Sequence, residues 1–290
     1  MAEKLSVLVS GATGQQGGAL ARVLLEREHS VRAFVRRPDS PEAKELERLG
    51  ADLAEGNFEE PDSLEGATRG MDAVFVVATP FEAGTEAEIR HGIAAADAAR
   101  AAGVEHLVYS SVADADKDTG IPHFDSKRKV EEHIEGLGIP YTIVAPVYFM
   151  DNLLAPWTVP QLKEGRLPMA LPASRPLQQI ALSDIAAFTG LVLENREEFV
   201  DRRVDIASDE LAGEEVAEVL ARVTGREIEY VELPLEQVRQ AMGEDGARMF
   251  EWFDRVGYSA DIEALRREHP EVGWHTFEAW AKEQDWGALG

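Results

Sequence analysis

Apolar positions along the chain follow two rhythms. Short runs with little polar interruption fall at Val7–Val9, Val31–Val35, Ala51–Ala54, Asp72–Ala78, Glu105–Ser111 and Pro140–Ala145. Between them, apolar residues recur at helical spacing, as in Ala19, Leu20, Val23 and Leu24. Uninterrupted runs suit strands buried on both faces of a parallel sheet, where an antiparallel sheet with one wet face would alternate. Punctuation agrees with this pattern. Ser40 and Gly50 bracket a helix over Pro41–Leu49, Pro61 opens one over Pro61–Thr68, and Gly103 stops one over Thr85–Ala102. Phe124–Leu137 is predicted helical as well. Strand and helix alternating at this short spacing predict an α/β fold, a Rossmann-type doubly wound parallel sheet with helices on both faces.

The rhythm breaks near Pro146. Pro156, Pro160, Pro168, Pro172 and Pro176 punctuate a stretch that reads as loop-rich. Beyond it, helices are predicted at Ser183–Asn195, Gly213–Thr224, Leu235–Met242, Gly246–Val256 and Phe277–Trp286. Strands are predicted near Arg203–Ala207 and Glu227–Leu233. The expected organisation is a Rossmann-type domain over residues 1–150 and a smaller, discontinuous α/β lobe over 151–290. That lobe is expected to close over the carboxyl ends of the strands, where open α/β sheets bind ligands.

Charge changes the picture more than size does. The chain carries 54 acidic and 29 basic residues, a net charge of −25, and only seven of its basic residues are lysines. Such a surface repels phosphate backbones and argues against nucleic acid as a direct partner. It fits a salt-adapted, halophilic source, where dense carboxylates hold water and salt screens their repulsion. The absence of cysteine removes disulfides, thiolate catalysis and thiolate metal sites. No apolar run is long enough to span a bilayer, and no charged-then-apolar leader precedes the first strand, so a cytoplasmic protein is expected.

The stretch Ser6–Gly17 reads SVLVSGATGQQG, an apolar strand running into Gly11, Gly14 and Gly17 and then into a helix. This arrangement receives the pyrophosphate of a dinucleotide. One glycine makes the turn, one lets backbone approach phosphate, and one lets helix pack on strand, with the helix N-terminus facing the negative charge. The end of the second strand selects the dinucleotide. An NAD site usually carries an acid there to hold the ribose hydroxyls, whereas this chain carries Arg36 and Arg37, which favour a 2′-phosphate and hence NADP(H). After the third strand, Asn57 and Phe58 fit either an adenine contact or an ordinary turn. After the fourth, Thr79 and Pro80 suit the wall of the cofactor's path.

In order along the chain stand GATGQQG, VRAFVRRP, GADLAEGNFEEPDSL, DAVFVVATP, AARAAGVEHLVYSSV, HFDSKRKVEEHI and PVYFMDNLL. Together they resemble the NmrA-like branch of the atypical short-chain dehydrogenase/reductase superfamily, closely in the first half of the chain and loosely beyond. The resemblance implies an extended Rossmann fold binding NADP. By position it places Gly11, Thr13, Gly14, Gln15, Gln16 and Gly17 in the phosphate loop and Arg36 on the 2′-phosphate. It also places Asn57 and Phe58 by the adenine, Thr79 and Pro80 along the cofactor, and Lys127 by the nicotinamide ribose. There a lysine can hold ribose hydroxyls or shuttle a proton. The superfamily's catalytic pattern is Tyr-x-x-x-Lys, and this chain departs from it: His123 stands four residues before Lys127. His123 fits either a replacement proton donor or a helix-start residue touching ribose or water.

Tyr148, Phe149 and Asn152, after the sixth strand, are expected to line the substrate side, while Ala145 stands where relatives often carry arginine. Trp157 and Met169 suit either an apolar wall for a flat ligand or, more simply, core packing. The histidines lack metal-ligand spacing, so no metal is expected. Two functions fit. One is reduction of a small conjugated acceptor, such as a quinone, by NADPH; the other is non-catalytic sensing of NADP(H). No long amphipathic seam decides between monomer and homodimer.

Overall fold

The computed structural model describes residues 4–289. The first half alternates strand and helix: β1 (Ser6–Val9), α1 (Gln15–Glu26), β2 (Ser30–Val35), α2 (Pro41–Arg48), β3 (Asp52–Glu55), α3 (Pro61–Thr68), β4 (Ala73–Val76), α4 (Thr85–Ala101), β5 (His106–Ser110), α5 (Pro122–Gly136) and β6 (Tyr141–Pro146). The remainder comprises β7 (Tyr148–Phe149), α6 (Val159–Lys163), β8 (Arg166–Met169), β9 (Pro176–Ile180), α7 (Leu182–Glu194), α8 (Arg196–Phe199), β10 (Arg202–Ile206), β11 (Asp209–Ala212), α9 (Gly213–Thr224), β12 (Glu229–Glu232), α10 (Leu235–Arg255), α11 (Ile262–Glu268) and α12 (Phe277–Glu283).

Seven strands form the central sheet in the order β10-β6-β5-β4-β1-β2-β3. From β6 to β3 every pair of neighbouring strands is parallel, with Val7 opposite Val31 on one side of β1 and Leu8 opposite Val74 on the other. The order doubles back at β1, which lies between β4 and β2. In a doubly wound sheet that reversal opens a crevice at the carboxyl ends of the strands.

The chain divides into two compact units. One holds Met1–Asp118, Pro122–Ala145 and Ile185–Val204; the other holds Thr119–Ile121, Pro146–Asp184 and Asp205–Gly290. In the first, Leu8, Val74, Leu107 and Ile143 of the sheet pack with Ala95, Ala99, Val130 and Ile134 of α4 and α5, all buried. A fully buried aliphatic side chain of this kind contributes about 1.5–3 kcal/mol. In the second, Met150, Leu162, Leu220, Phe277 and Trp280 form a separate core.

One expectation needs correction in the second unit. The proline-punctuated stretch is not merely loop: it holds β8 and β9, and β11 follows further on. β9 lies between β11 and β7, and β8 pairs with β12 in a two-stranded sheet. Pro176 opens β9 and Pro168 lies in a two-stranded sheet, the positions where a missing N–H is tolerated. The helices expected at Leu235–Met242 and Gly246–Val256 are the two arms of α10, separated at Gly243, whose φ of 75° and ψ of −171° are non-helical and suit glycine alone.

Candidate cofactor site

The turn after β1 is built from backbone. Gly11 has φ 59°, and a Cβ there would lie 2.7 Å from Val77 Cγ1. A Cβ on Gly17 would fall against the carbonyl oxygens of Gly11 and Ser10, the latter at 2.5 Å. Both positions therefore exclude a side chain, one by conformation and one by space. The Gly14 N–H closes the turn on Gly11 O at 2.8 Å. Ser10 Oγ, a residue that sequence reasoning passed over, accepts from Val77 N at 2.9 Å and ties the turn to the strand end beside it. Gly14 caps α1 without a side-chain acceptor, and no acidic residue stands in the helix's first turn. The first-turn amides and the positive helix end are thus left for an anion. Thr13, Gly14 and Gln15 are exposed. Gln16 is not free, because its Oε1 accepts from Ser110 Oγ at 2.6 Å.

Beyond β2, Arg36 and Arg37 are both exposed. Arg36 grips Glu82 with both guanidinium arms, Nη1 to Oε2 at 2.5 Å and Nη2 to Oε1 at 2.9 Å. Arg37 makes no ion pair with a described residue. After β3, Asn57 Oδ1 accepts from Glu59 N at 2.8 Å, an Asx turn that leaves its amide NH2 for other partners. Phe58 packs between Phe34, with centroids 5.8 Å apart, and His91, stacked at 5.4 Å. After β4, Thr79 is exposed and Pro80 half-buried.

Lys127 and His123 lie one turn apart on α5. Lys127 is buried; its Nζ donates to Ala78 O at 3.0 Å, just past the end of β4. The same nitrogen sits 3.0 Å from Glu88 Oε1, an ion pair that lacks the angle of a hydrogen bond. Glu88 is wholly buried, and its other oxygen accepts from Ser126 Oγ. An ammonium has three protons, so Lys127 keeps donors beyond the one given to Ala78. The Tyr109 ring lies 5.7 Å from Nζ. Its hydroxyl is fully buried without a hydrogen-bond partner among the described residues, and burial, with Glu88 and Glu131 nearby, pushes the phenol well up. Tyr109 therefore offers no exposed acid in place of the missing tyrosine. The His123 ring packs edge-on to Phe124 at 4.8 Å, and its carbonyl accepts from Ser126 Oγ at 3.1 Å.

Glu88 is a further residue that sequence reasoning missed, and its helical phase was the available signal. It falls in register with Gly92, Ala95 and Ala99, the buried face of α4.

The second unit holds Tyr148, Phe149 and Asn152, all half-buried. Burial raises the Tyr148 phenol, against a hydrogen bond with Asn152, and its ring meets Phe253 edge-on at 6.4 Å. Tyr148 and Met169 line a cavity of about 20 Å³ with Leu177, Leu211 and Tyr230. That volume admits one water at most, so it is a seam in the packing. Trp157 corrects the expectation of core packing, because it is 73% exposed. Its exposed loop holds it out of the core. Among the described residues no cluster of His, Asp and Glu could hold a metal ion, and no helix is long and apolar enough to cross a membrane.

A switch-point crevice, a tight glycine turn and a helix start without a side-chain cap together define a dinucleotide-binding α/β protein. A sequence model of the NmrA-like family matches residues 3–281, and the chain belongs to that family. It is 32% identical over 236 residues to an NAD(P)H azoreductase of Xenophilus azovorans, spanning 81% of this chain and 80% of that protein. Its fold matches the triphenylmethane reductase of Citrobacter sp. complexed with NADP(H), with TM-score 0.78 and 21% identity over 90% of this chain and 94% of the other. It also matches NmrA, a negative transcriptional regulator, in complex with NADP, with TM-score 0.75 and 24% identity over 97% and 95%.

Proposed function

We propose that the chain binds NADP(H) and reduces a small, flat, conjugated acceptor such as a quinone. The observation that carries this reading is a convergence on adjacent strand ends. The glycine turn follows β1, Arg36 and Arg37 follow β2, and Lys127 Nζ is pinned to Ala78 just past β4. The residues fit the dinucleotide, since Gly11 and Gly17 keep the turn close to backbone and its helix amides lack a side-chain cap. When bound, the nicotinamide supplies the hydride. The α1 amides hold the pyrophosphate, Arg36 and Arg37 hold the 2′-phosphate, and Thr79 and Pro80 border the cofactor's path. Lys127 holds the nicotinamide ribose hydroxyls with the protons that Ala78 does not take. Tyr148, Phe149 and Asn152 are assigned to the substrate side. Hydride transfer to a conjugated acceptor needs little help from a phenol, which suits a chain with His123 at that position. The azoreductase relative supports a reductase of such acceptors.

A second reading, a non-catalytic NADP(H) sensor, is favoured by one observation: the His123 ring is engaged with Phe124 at the place where a catalytic acid would stand. The test mixes purified protein at high salt with NADPH and a panel of quinones and azo dyes, following loss of the reduced-nicotinamide absorbance. Turnover of at least one acceptor, reduced at least tenfold in the Lys127→Met variant, is the expected result. Tight NADPH binding with no oxidation across the panel rejects the reductase and leaves the sensor.

A further inference from the structure

We propose that Glu82 is a built-in competitor for the 2′-phosphate of the dinucleotide, and so sets how strongly the chain prefers NADP(H) over NAD(H). This rests on the reading that Arg36 receives that phosphate. The Glu82 carboxylate presents two oxygens to the Arg36 fork at 2.5 and 2.9 Å, the same paired geometry that phosphate oxygens adopt on a guanidinium. The pair occupies the donors that a 2′-phosphate would use.

Its position in the fold strengthens the inference. Arg36 follows β2 and Glu82 follows β4, the strands on either side of β1. The ion pair therefore links the loops that flank the glycine turn. The loop carrying Glu82 is closed on itself by Gly84 N to Pro80 O at 2.7 Å. Its neighbour Phe81 is 85% exposed, so among the described residues the Arg36 contact is what fastens the loop tip to the end of β2. Both side chains are 67% exposed, and a solvated pair of this kind yields to a ligand carrying more charge. A 2′-phosphate brings nearly two negative charges and three acceptor oxygens where the carboxylate brings one charge and two oxygens. NADP(H) thus binds by displacing Glu82. NAD(H), with ribose hydroxyls at that place, has no phosphate to contest Arg36.

The test measures dissociation constants for NADPH and NADH by titration calorimetry. It uses the wild type, Glu82→Gln, Arg36→Ala and the double variant, all first shown to melt cooperatively. Glu82→Gln is expected to tighten NADPH about threefold to fivefold, the worth of an exposed ion pair, and to leave NADH unchanged. In the Arg36→Ala background the same substitution is expected to do nothing. If Arg36→Ala weakens NADPH selectively but Glu82→Gln leaves the NADPH-to-NADH ratio at the wild-type value, the competitor role is wrong and the assignment of Arg36 stands. Equal tightening of both dinucleotides also rejects the competitor role. If Arg36→Ala leaves NADPH affinity intact, the assignment of Arg36 itself fails.

Discussion

Two pairs of cation and carboxylate stand at the carboxyl end of the central sheet, and they differ in one respect. Arg36 and Glu82 meet in solvent, each 67% exposed. Lys127 and Glu88 meet in the interior, with side-chain exposures of 11% and 0%. A solvated pair gains little because water and salt screen both charges. A buried pair is held firmly, because separating it strands a charge in a medium that cannot solvate it. The site therefore combines a contact that yields with one that does not. The first suits an exchange with ligand; the second suits a group that must present its remaining protons in one place.

The sharpest break falls on the buried side. Glu88→Ala leaves Lys127 without its counter-charge and Ser126 Oγ without its acceptor, and is expected to cost about 3–5 kcal/mol of unfolding free energy in denaturant titrations. A smaller effect tests whether the charge or the packing matters. Replacing both partners, Glu88→Leu with Lys127→Met, is expected to recover most of that loss, because a buried pair exchanged for apolar groups of similar volume is close to neutral. The double variant is expected to fold and, on the role proposed for Lys127, still bind NADPH poorly. A double variant as unstable as Glu88→Ala means that packing at Glu88, rather than charge, sets the cost.

These two pairs were unequally legible in the sequence. The glycine turn announces itself, because Gly11 and Gly17 each sit where geometry excludes a side chain and both lie within one local strand–turn–helix. The parallel sheet was equally plain, since strands buried on both faces read as apolar runs. Lys127 was found through its neighbours in HFDSKRKVEEHI, but its partner was not. An acid in the first turn of α4 looks like an ordinary complement to the helix dipole, and only its phase with Gly92 and Ala95 marks it as buried. Glu82 was invisible for a different reason. Its contact with Arg36 depends on β1 lying between β2 and β4, a fact of sheet order that no local pattern carries. In the second unit the short strands β8 and β9 were hidden by a proline in a two-stranded sheet and one at a strand start, where the proline rule is weakest, and β11 was hidden by its four-residue length and its two acids.

An intermediate case lies in the second unit. His275 Nδ1 meets Asp184 Oδ1 at 2.5 Å, with Glu283 3.3 Å from Nε2; Asp184 is buried and the His275 side chain is 21% exposed. Burial disfavours the imidazolium, but the hydrogen bond and charge of Asp184, with Glu283, outweigh it and raise His275 above 6.5. A raised histidine stabilises the fold while it is protonated in both states. Its contribution is complete below the ordinary imidazole value, and it falls away as pH rises through the raised value. The contribution is screened by the partial exposure, so the expected size is under about 1 kcal/mol. Melts of wild type and His275→Gln should differ most at acidic pH and converge above neutrality. A difference that is flat with pH assigns the contact to packing and backbone bonding alone, including His275 N to Asp184 Oδ2 at 2.9 Å.

The smallest expected effect is the counterpart of the largest. Glu82→Ala should change unfolding free energy by no more than about 0.5 kcal/mol, the range of surface substitutions that leave no buried group unpaired. The charge that remains on Arg36 is already in water, so nothing is stranded by removing its partner. Raising the salt should shrink even this difference, because screening acts on exposed pairs first. Glu88→Ala should keep its cost across the same salt series. A Glu82→Ala variant that loses as much stability as Glu88→Ala would erase the contrast between the two pairs. It would show that the loop at Pro80–Gly84 is braced by Glu82 for the sake of the fold, leaving no easily displaced contact for a phosphate to replace.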